Sequence, residues 1–402
     1  MITALGQGGF GLGKVCAVIA EYDPFHNGHF HHLTETRKTS GASALVVFMT
    51  SYVSQRGAFT LFSPQDRAAM ALQSGADIVF GLPCQVTCRE AEWYAYHAIE
   101  MMNRSQCIDL ISFGCENERE DLLRKAASIL VTNPPAFESK VQELLSAKNN
   151  SYPKAVSHAL EALLNLPEGF MNQPNVILAV SYLRALMKTG SRIQPILIHR
   201  KGAYHSTEIV PETPSASALR SVLRSGNHGE IAAKAVPCEC WKIIREAMSD
   251  GRFFHDERGD AMLLARLSAA SASDLLLYCP LGEGLEGRLL KAAPACKSRE
   301  ELLEKVCSPR ITKARVSRIL TAFQLGLTQS AKLQQPYLRL FGFRKQHSQL
   351  VKAISENVPC YQSFHQMEVN PACACECRAA KLWHIGAGLD YGRLYKEKAV
   401  VI

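Results

Sequence analysis

The sequence lacks an apolar segment long enough to cross a membrane, because its apolar runs, such as residues 44–49, fall far below the roughly 20 residues that a spanning helix needs. It also lacks an N-terminal charged region followed by an apolar stretch, so it predicts neither a membrane partner nor an export signal. Without such a signal, the 14 scattered cysteines indicate reduced thiols and a cytoplasmic location.

Acidic residues are absent between Lys305 and Lys352, a segment that holds ten basic ones. Residues 227–402 carry 25 basic and 18 acidic side chains, against 20 and 19 in residues 1–226, so the net charge of +8 lies mostly in the second half. A segment of one sign this long favours a polyanionic partner. A solvated basic surface is the open alternative.

A hydrophobic fraction of 47% with 20% charged residues is typical of globular proteins and excludes a disordered chain, a collagen and a coiled coil. The N-terminal glycines do not form a convincing phosphate loop. Gly8 to Lys14 has the spacing of one, but Val15 stands where a Ser or Thr is needed, and no strand precedes. We expect residues 1–14 to be a flexible leader.

Strand and helix patterns alternate from residue 15 onward. Short apolar runs predict strands at residues 15–22, 44–49, 77–82, 108–113 and 194–199. Helical patterns separate them, and one begins at Ser63 and Pro64, a good cap and first residue. The sequence therefore predicts an α/β fold with a Rossmann-like, doubly wound parallel sheet over residues 15–226. Residues 227–402 are expected to form a second, mostly α-helical basic domain.

The strongest local motif is Glu21-Tyr-Asp-Pro-Phe-His26-Asn-Gly-His29, which follows the first strand and opens the first helix. Ligands of open α/β sheets bind at such junctions, and a helix N-terminus favours phosphate. His26 and His29 can reach the same anion, while Gly28 allows a nucleotide to come close. From these residues alone, a metal-binding pair and surface histidines on a turn stay open as alternatives.

His26-Asn-Gly-His29 resembles the HIGH motif of class I nucleotidyltransferases and aminoacyl-tRNA synthetases. Residues 20–29 resemble one family of that group, the tRNA(Met) cytidine acetate ligases, and the likeness covers about residues 15 to 356. Further matching segments follow in the same order: Arg67-Ala-Ala-Met-Ala71, Ser112-Phe-Gly-Cys-Glu116, Pro174-Asn-Val-Ile-Leu178, His199-Arg-Lys-Gly-Ala-Tyr-His205, Ser215-Ala-Ser-Ala-Leu-Arg220, Arg315-Val-Ser-Arg318 and Tyr337-Leu-Arg-Leu-Phe-Gly342.

This resemblance implies a two-step reaction. ATP would activate acetate as acetyl-adenylate, and the acetyl group would pass to N4 of the wobble cytidine (position 34) of elongator tRNA(Met), releasing AMP and pyrophosphate. It implies His26, His29 and Arg220 as catalytic residues, and Mg²⁺ as a companion of ATP stays open, with no metal ligands assigned. The implied ATP contacts are Ile19, Ala20, Glu21, Tyr22, Asp23, Pro24, Phe25, His26, Asn27, Gly28, His29, Phe30, His31, His32, Gly114, Asn175, Arg200 and Ser215.

Several of these residues have simpler interpretations. Asn175 and Ser215 are also suited to cap helices, Gly114 to form a tight turn, and Arg200 to lie on the surface. The chain departs from the family pattern at three places: Asp23 stands where Asn is usual, Pro64 where Lys is common, and Ser51-Tyr-Val-Ser54 where Gly-Asn-Phe-Val is usual. Arg56 is a candidate contact for acetate or phosphate.

The second half contains two further features. Lys313, Arg315 and Arg318 are predicted to follow an RNA backbone along one helix. Arg339, Arg344 and Lys345 would add charge between the aromatic residues Tyr337, Phe341 and Phe343, of which at least half are expected in the core. A C-terminal cluster, Cys360, Cys373, Cys375 and Cys377, fits buried reduced thiols better than zinc, which prefers another spacing.

Two other functions compete with an RNA-modifying ligase. A nucleotidyltransferase for small molecules would share the histidine motif, but it needs no large basic half. A non-catalytic RNA-binding protein would need the basic half, but it has no use for an intact His26 and His29 pair.

Overall fold

The computed structural model describes residues 13–116, 119–146, 151–200, 211, 214–226, 229–278, 284–328 and 336–402. Most of the predicted leader lies outside these residues, as does the segment 201–210. The strands of the described part are β1 (Val15–Ala20), β2 (Ala44–Thr50), β3 (Ile78–Leu82), β4 (Leu110–Cys115), β5 (Gln194–His199), β6 (Leu338–Phe343), β7 (Cys360–Tyr361) and β8 (Val400–Val401).

Helices make up most of the rest of the described chain. Those before β5 are α1 (Asn27–Ser40), α2 (Pro64–Gln73), α3 (Cys84–Thr87), α4 (Ala91–Ser105), α5 (Glu120–Thr132), α6 (Pro135–Ser146), α7 (Tyr152–Leu164) and α8 (Pro174–Lys188). Those after β5 are α9 (Ala216–Arg224), α10 (Glu230–Lys234), α11 (Cys238–Ser249), α12 (Asp256–Ser268), α13 (Ala272–Tyr278), α14 (Leu285–Ala292), α15 (Arg299–Val306), α16 (Lys313–Leu325), α17 (Ser348–Asn357), α18 (Phe364–Glu368) and α19 (Ala374–Ala387).

One sheet contains all these strands in the order β5-β4-β1-β2-β3-β6-β7, and β8 pairs with β6. The first five strands run parallel, and β6 runs antiparallel to β3. The order reverses between β1 and β4, and ligands of such sheets bind outside the carboxyl ends of the strands at that reversal. The predicted α/β fold with a doubly wound, mostly parallel sheet is confirmed.

Helices cover both faces of the sheet because successive strand residues point to opposite sides. Val46 and Phe48 of β2 pack with α4, α5 and α8, while Leu45, Val47 and Met49 pack with α1, α2 and α11. The predicted start of α2 is confirmed, since the Ser63 hydroxyl accepts a hydrogen bond from the Asp66 amide at 3.1 Å. No helix of the described residues is both long and apolar enough to span a membrane.

The second half is mostly helical, as predicted, but it also contains the strands β6, β7 and β8, which the sequence did not predict. β6 extends the sheet of the first half, so residues on both sides of position 227 build one sheet. Tyr337, Arg339 and Phe341 are buried there, and they are therefore not available to RNA. Arg339 is held by the Tyr52 hydroxyl at 3.2 Å and by Glu397 at 3.4 Å.

Other basic residues of the acid-free segment also bind the chain itself. Arg344 donates to the carbonyl oxygens of Leu72 and Ala76, and Lys313 pairs with Glu300. The C-terminal thiols Cys373, Cys375 and Cys377 are buried at the start of α19, as expected for reduced thiols. In the part of the chain that the structure describes, no three His, Cys, Asp or Glu side chains gather into a metal-binding group.

Candidate active site

The loop from Glu21 to His26 joins β1 to α1 at the edge where the strand order reverses. Its backbone is unusual, because Tyr22 has a φ of 50° and the Asp23–Pro24 peptide bond is cis. Tyr22 and Phe25 are buried, and their rings lie 4.8 Å and 5.5 Å from the His29 ring. The loop therefore forms a packed aromatic floor beneath the histidine motif.

His26 and His29 form a stacked pair at the start of α1. Their ring centroids are 3.6 Å apart with planes 18° from parallel, and the His26 amide donates to Nδ1 of His29 at 3.3 Å. Gly28 leaves room for this stack, since a Cβ there would lie only 3.0 Å from Cε1 of His26. His26 is buried, and its Nδ1 has no hydrogen-bond partner among the described residues.

A second group reaches the same cleft from the ends of β4 and β5. A Cβ on Gly114 would lie 2.9 Å from Cγ of Arg200, so the glycine leaves room for the arginine stem. Nη1 of Arg200 donates to Oδ1 of Asn175 at 3.4 Å, and the Asn175 amide donates to Glu116. Asn175 lies one residue inside α8 and connects these groups, so it is not the helix cap; Gln173 is.

Arg220 reaches the cleft from α9. Its Nη1 donates to the backbone oxygen of Asp23 at 2.5 Å and lies 3.4 Å from the carboxylate. The other carboxylate oxygen accepts from the Leu61 amide at 2.7 Å. The charge that Asp23 adds is therefore balanced by Arg220, which it also positions.

The site histidines are held neutral. Burial, with the positive charges of Arg200 and Arg220, lowers the pKa of His26 to about 3. Burial, His26 and Arg200 keep the pKa of His29 well below its ordinary value. Burial and Arg200 lower the pKa of His32 to about 4. Near neutral pH the cleft thus presents two guanidinium groups and uncharged imidazoles that can donate hydrogen bonds to an anion.

The other residues predicted to contact ATP make mostly structural contacts with the described part of the chain. Ser215 caps α9 by accepting from the Ala218 amide at 3.1 Å, as predicted. The Asn27 side chain donates to the carbonyl oxygens of Pro211 and Lys234, so its role as an ATP contact stays a prediction. His32 lies 3.2 Å from the Ser112 hydroxyl. Ile19 and Ala20 pack beside the core, Pro24 is buried, His31 is half-buried and Phe30 is exposed.

Two residues of the site were not assigned from the sequence. Arg67 is fully buried and donates to the backbone oxygens of Glu21, Ser51 and Phe62, which fixes the loops after β1 and β2. Glu116 accepts from Asn175, and its Oε2 is buried with no partner among the described residues. Both stand within motifs that resemble the family, which was the available signal.

Comparison with known proteins agrees with this geometry. The model of the HIGH nucleotidyl transferase family matches residues 13–393. A tRNA(Met) cytidine acetate ligase of Acetivibrio thermocellus is 33% identical over 358 residues, which are 85% of this chain and 86% of the relative. A second ligase of that name, from Alkaliphilus metalliredigens, is 32% identical over 78% of this chain and 77% of its own length.

Solved structures show the same fold. The apo crystal structure of Thermotoga maritima TmcAL has a TM-score of 0.88 at 23% identity, covering 97% of this chain and 99% of that chain. Another crystal form of that protein, bound with alpha-thio ATP, has a TM-score of 0.86 at 23% identity and the same coverage.

The sheet, the histidine pair and the family match define this chain as a HIGH-motif nucleotidyltransferase. Within that class, the curated relatives place it in the tRNA(Met) cytidine acetate ligase family, to which the chain belongs.

Proposed function

We propose that this chain uses ATP to activate acetate and then acetylates N4 of the wobble cytidine in elongator tRNA(Met). The observation that carries this proposal is the stacked pair of His26 and His29 facing Arg200 and Arg220 at the sheet reversal, in a chain whose relatives bear that ligase name. ATP as the nucleotide is supported by the fold it shares with a structure that holds alpha-thio ATP.

In the first step, an acetate oxygen attacks the α-phosphorus of ATP. The bond from that phosphorus to the oxygen bridging it to the β-phosphate breaks, and pyrophosphate leaves with the electron pair. No protein nucleophile is needed, because the reaction requires positioning and stabilisation of negative charge. His26 and His29 donate hydrogen bonds to the phosphates as neutral groups, and Arg200 and Arg220 supply the positive charge.

In the second step, N4 of the cytidine attacks the acetyl carbon of the adenylate. The bond from that carbon to the phosphate oxygen breaks, AMP leaves with the electron pair, and the proton that N4 loses passes to water. Residues 15–226 would carry the nucleotide chemistry and residues 227–402 most of the tRNA contacts, with both parts joined through the common sheet. A tRNA substrate also supports the cytoplasm as the location.

We propose that Mg²⁺, where ATP brings it, is held mainly by the phosphates, since Mg²⁺ in such sites commonly keeps waters and few carboxylates. The carboxylates near the cleft already have partners. Glu21 accepts from the Gln55 amide at 2.7 Å, Asp23 faces Arg220, and Glu116 accepts from Asn175. Of these, Glu116 keeps a buried oxygen without a partner in the described chain and fits one additional donor or cation.

The test is incubation of the full chain with ATP, radiolabelled acetate and total tRNA. We expect label in elongator tRNA(Met) that depends on ATP. His29→Ala should abolish labelling while tRNA binding remains, because the lost hydrogen bonds act on the phosphates. His365→Ala, at an exposed position on α18, is the matched control and should label as wild type does.

Three results would count against the proposal. Pyrophosphate exchange driven by a small substrate other than acetate, with no label in tRNA, would favour a small-molecule nucleotidyltransferase. Binding of tRNA with neither exchange nor label would favour a non-catalytic RNA-binding protein. Full activity of His29→Ala would show that the histidine pair is not the reaction site.

A further inference from the structure

The loop after β2 is fastened to α16 far along the chain. The Gly57 carbonyl oxygen accepts from Nη2 of Arg299 at 2.6 Å, from the Ser317 hydroxyl at 3.0 Å and from the Thr321 hydroxyl at 2.7 Å. A Cβ on Gly57, which has a φ of 78°, would lie 2.6 Å from the backbone of Arg318. The exposed residue Arg56 is therefore held beside Arg318.

The same loop is also fastened to the segment that leads into α4. Nε2 of Gln55 donates to the carbonyl oxygen of Arg89 at 2.7 Å, and the Cys88 thiol donates to the carbonyl oxygen of Arg318 at 3.6 Å. The guanidinium of Arg89 lies 5.4 Å from the centre of the Trp93 ring. The helix α16, the loop after β2 and the segment before α4 thus bring their cations to a common surface.

We name this the arginine–tryptophan surface; it consists of Arg56, Arg89, Trp93, Arg315 and Arg318. Arg315 and Arg318 lie one turn apart on α16. Burial lowers the pKa of Arg318, and Arg315 adds to that lowering, while Glu90 opposes it. The surface carries four guanidinium groups, the carboxylates of Glu21 and Glu90 lie beside it, and its positive charge suits a polyanion.

Two features suit this surface to RNA in particular. Trp93 is half-buried with its ring 4.2 Å from that of His97, so an aromatic group stands among the arginines. Nε of Arg89 is buried and has no partner among the described residues, so one donor remains to be satisfied. Splayed bases pack on aromatic rings and guanidinium planes, while arginines bind the phosphates.

The surface also adjoins the nucleotide cleft. The Gln55 amide donates to Oε1 of Glu21 at 2.7 Å, and Glu21 is the first residue after β1. The loop of residues 54–57 therefore contacts the loop from Glu21 to His26 at one end and α16 at the other. An RNA segment bound here would lie next to the site where the acyl-adenylate forms.

We propose that a single-stranded segment of the tRNA crosses the arginine–tryptophan surface, with phosphates on Arg56, Arg315 and Arg318 and one unpaired base against the Arg89 and Trp93 pair. This inference rests on the proposed function for the identity of the RNA. The arginine–tryptophan surface takes the place of the buried β6 residues as the predicted RNA contact. It is built from three separate chain segments.

The test measures affinity for an elongator tRNA(Met) transcript with the double variant Arg315→Gln/Arg318→Gln, which removes two of the proposed phosphate contacts. We expect Kd to rise about tenfold, and the slope of log K against log salt to fall by about 0.7 to 0.9 for each lost phosphate contact. Exchange of pyrophosphate driven by acetate should be unchanged. Lys125→Gln, an exposed cation on α5, is the matched control and should change neither quantity.

The role of the ring is tested separately. Trp93→Leu should weaken tRNA binding without changing the salt slope, and Trp93→Phe should restore most of the affinity, since a ring is kept. Wild-type affinity of the double variant would overturn the phosphate contacts, and wild-type affinity of Trp93→Leu would overturn the base contact. If the wild-type chain binds tRNA but never acetylates it, the proposed function is refuted. The affinities of the variants would still show whether RNA binds at the arginine–tryptophan surface.

Discussion

At the scale of single residues, the proton balance of the histidine pair makes the site sensitive to acid. The pKa of a histidine in the unfolded chain is about 6.5, whereas burial lowers the pKa of His26 in the folded chain to about 3. Between those values the unfolded state binds a proton that the folded state does not, so stability falls as the pH falls. The neutral donors that suit a phosphate site therefore carry a cost in stability below pH 6.5.

We predict that His26→Asn removes this contribution while keeping a residue suited to begin α1. Relative to wild type, the free energy of unfolding of the variant should gain about 1.4 kcal/mol between pH 7.5 and pH 5.5, equal to one pKa unit. Urea unfolding at the two pH values measures it, with His365→Asn at an exposed site as the control. Equal pH dependence of His26→Asn and wild type would contradict the neutral, buried state of His26.

At the scale of elements, the sequence predicts the five parallel strands because each contains a short apolar run; β1 to β4 are largely buried, and β5, at the edge of the sheet, is partly exposed. β6 escaped prediction because Arg339 interrupts its apolar pattern and its aromatic residues resemble an RNA-binding segment. Its burial depends on Tyr52 and Glu397, which are distant in sequence, so no local pattern reveals it. The motifs of the cleft can be recognised in the sequence. The convergence of Asn175, Glu116 and Arg200 cannot, because it depends on the order of the strands in the sheet.

The register of β4 and β5 gives the second prediction. Gly114 pairs with Ile198, two residues before Arg200, so the arginine stem crosses the glycine. Gly114→Ala should displace the Arg200 guanidinium and weaken ATP binding about tenfold, or 1.4 kcal/mol, with little loss of folding stability. Calorimetric titration with ATP measures this. Gly287→Ala, where an added Cβ meets no atom within 4 Å, should bind ATP as wild type does, and equal affinity of both variants would contradict the argument.

At the scale of the whole molecule, Asp77 joins the two halves of the chain. It lies at the amino ends of the parallel strands, opposite the site at their carboxyl ends. Its buried carboxylate accepts from Nη2 of Arg37 at 2.5 Å and from the Leu45 amide at 2.7 Å. Arg344 and His347, from the second half, lie 3.6 Å and 3.4 Å from its other oxygen. A single carboxylate thus balances cations from α1 and from the segment that follows β6.

We predict that Asp77→Asn lowers the free energy of unfolding by about 2 kcal/mol. Removing one partner of a buried pair commonly costs roughly 3 to 5 kcal/mol, and solvent reaching the two arginines reduces that cost. Urea unfolding measures the change. Glu300→Gln, which breaks the exposed pair with Lys313, should cost less than about 1 kcal/mol. Because β6 belongs to the common sheet, both halves should unfold in one transition in each variant; a second transition in Asp77→Asn would mean that the sheet does not join them.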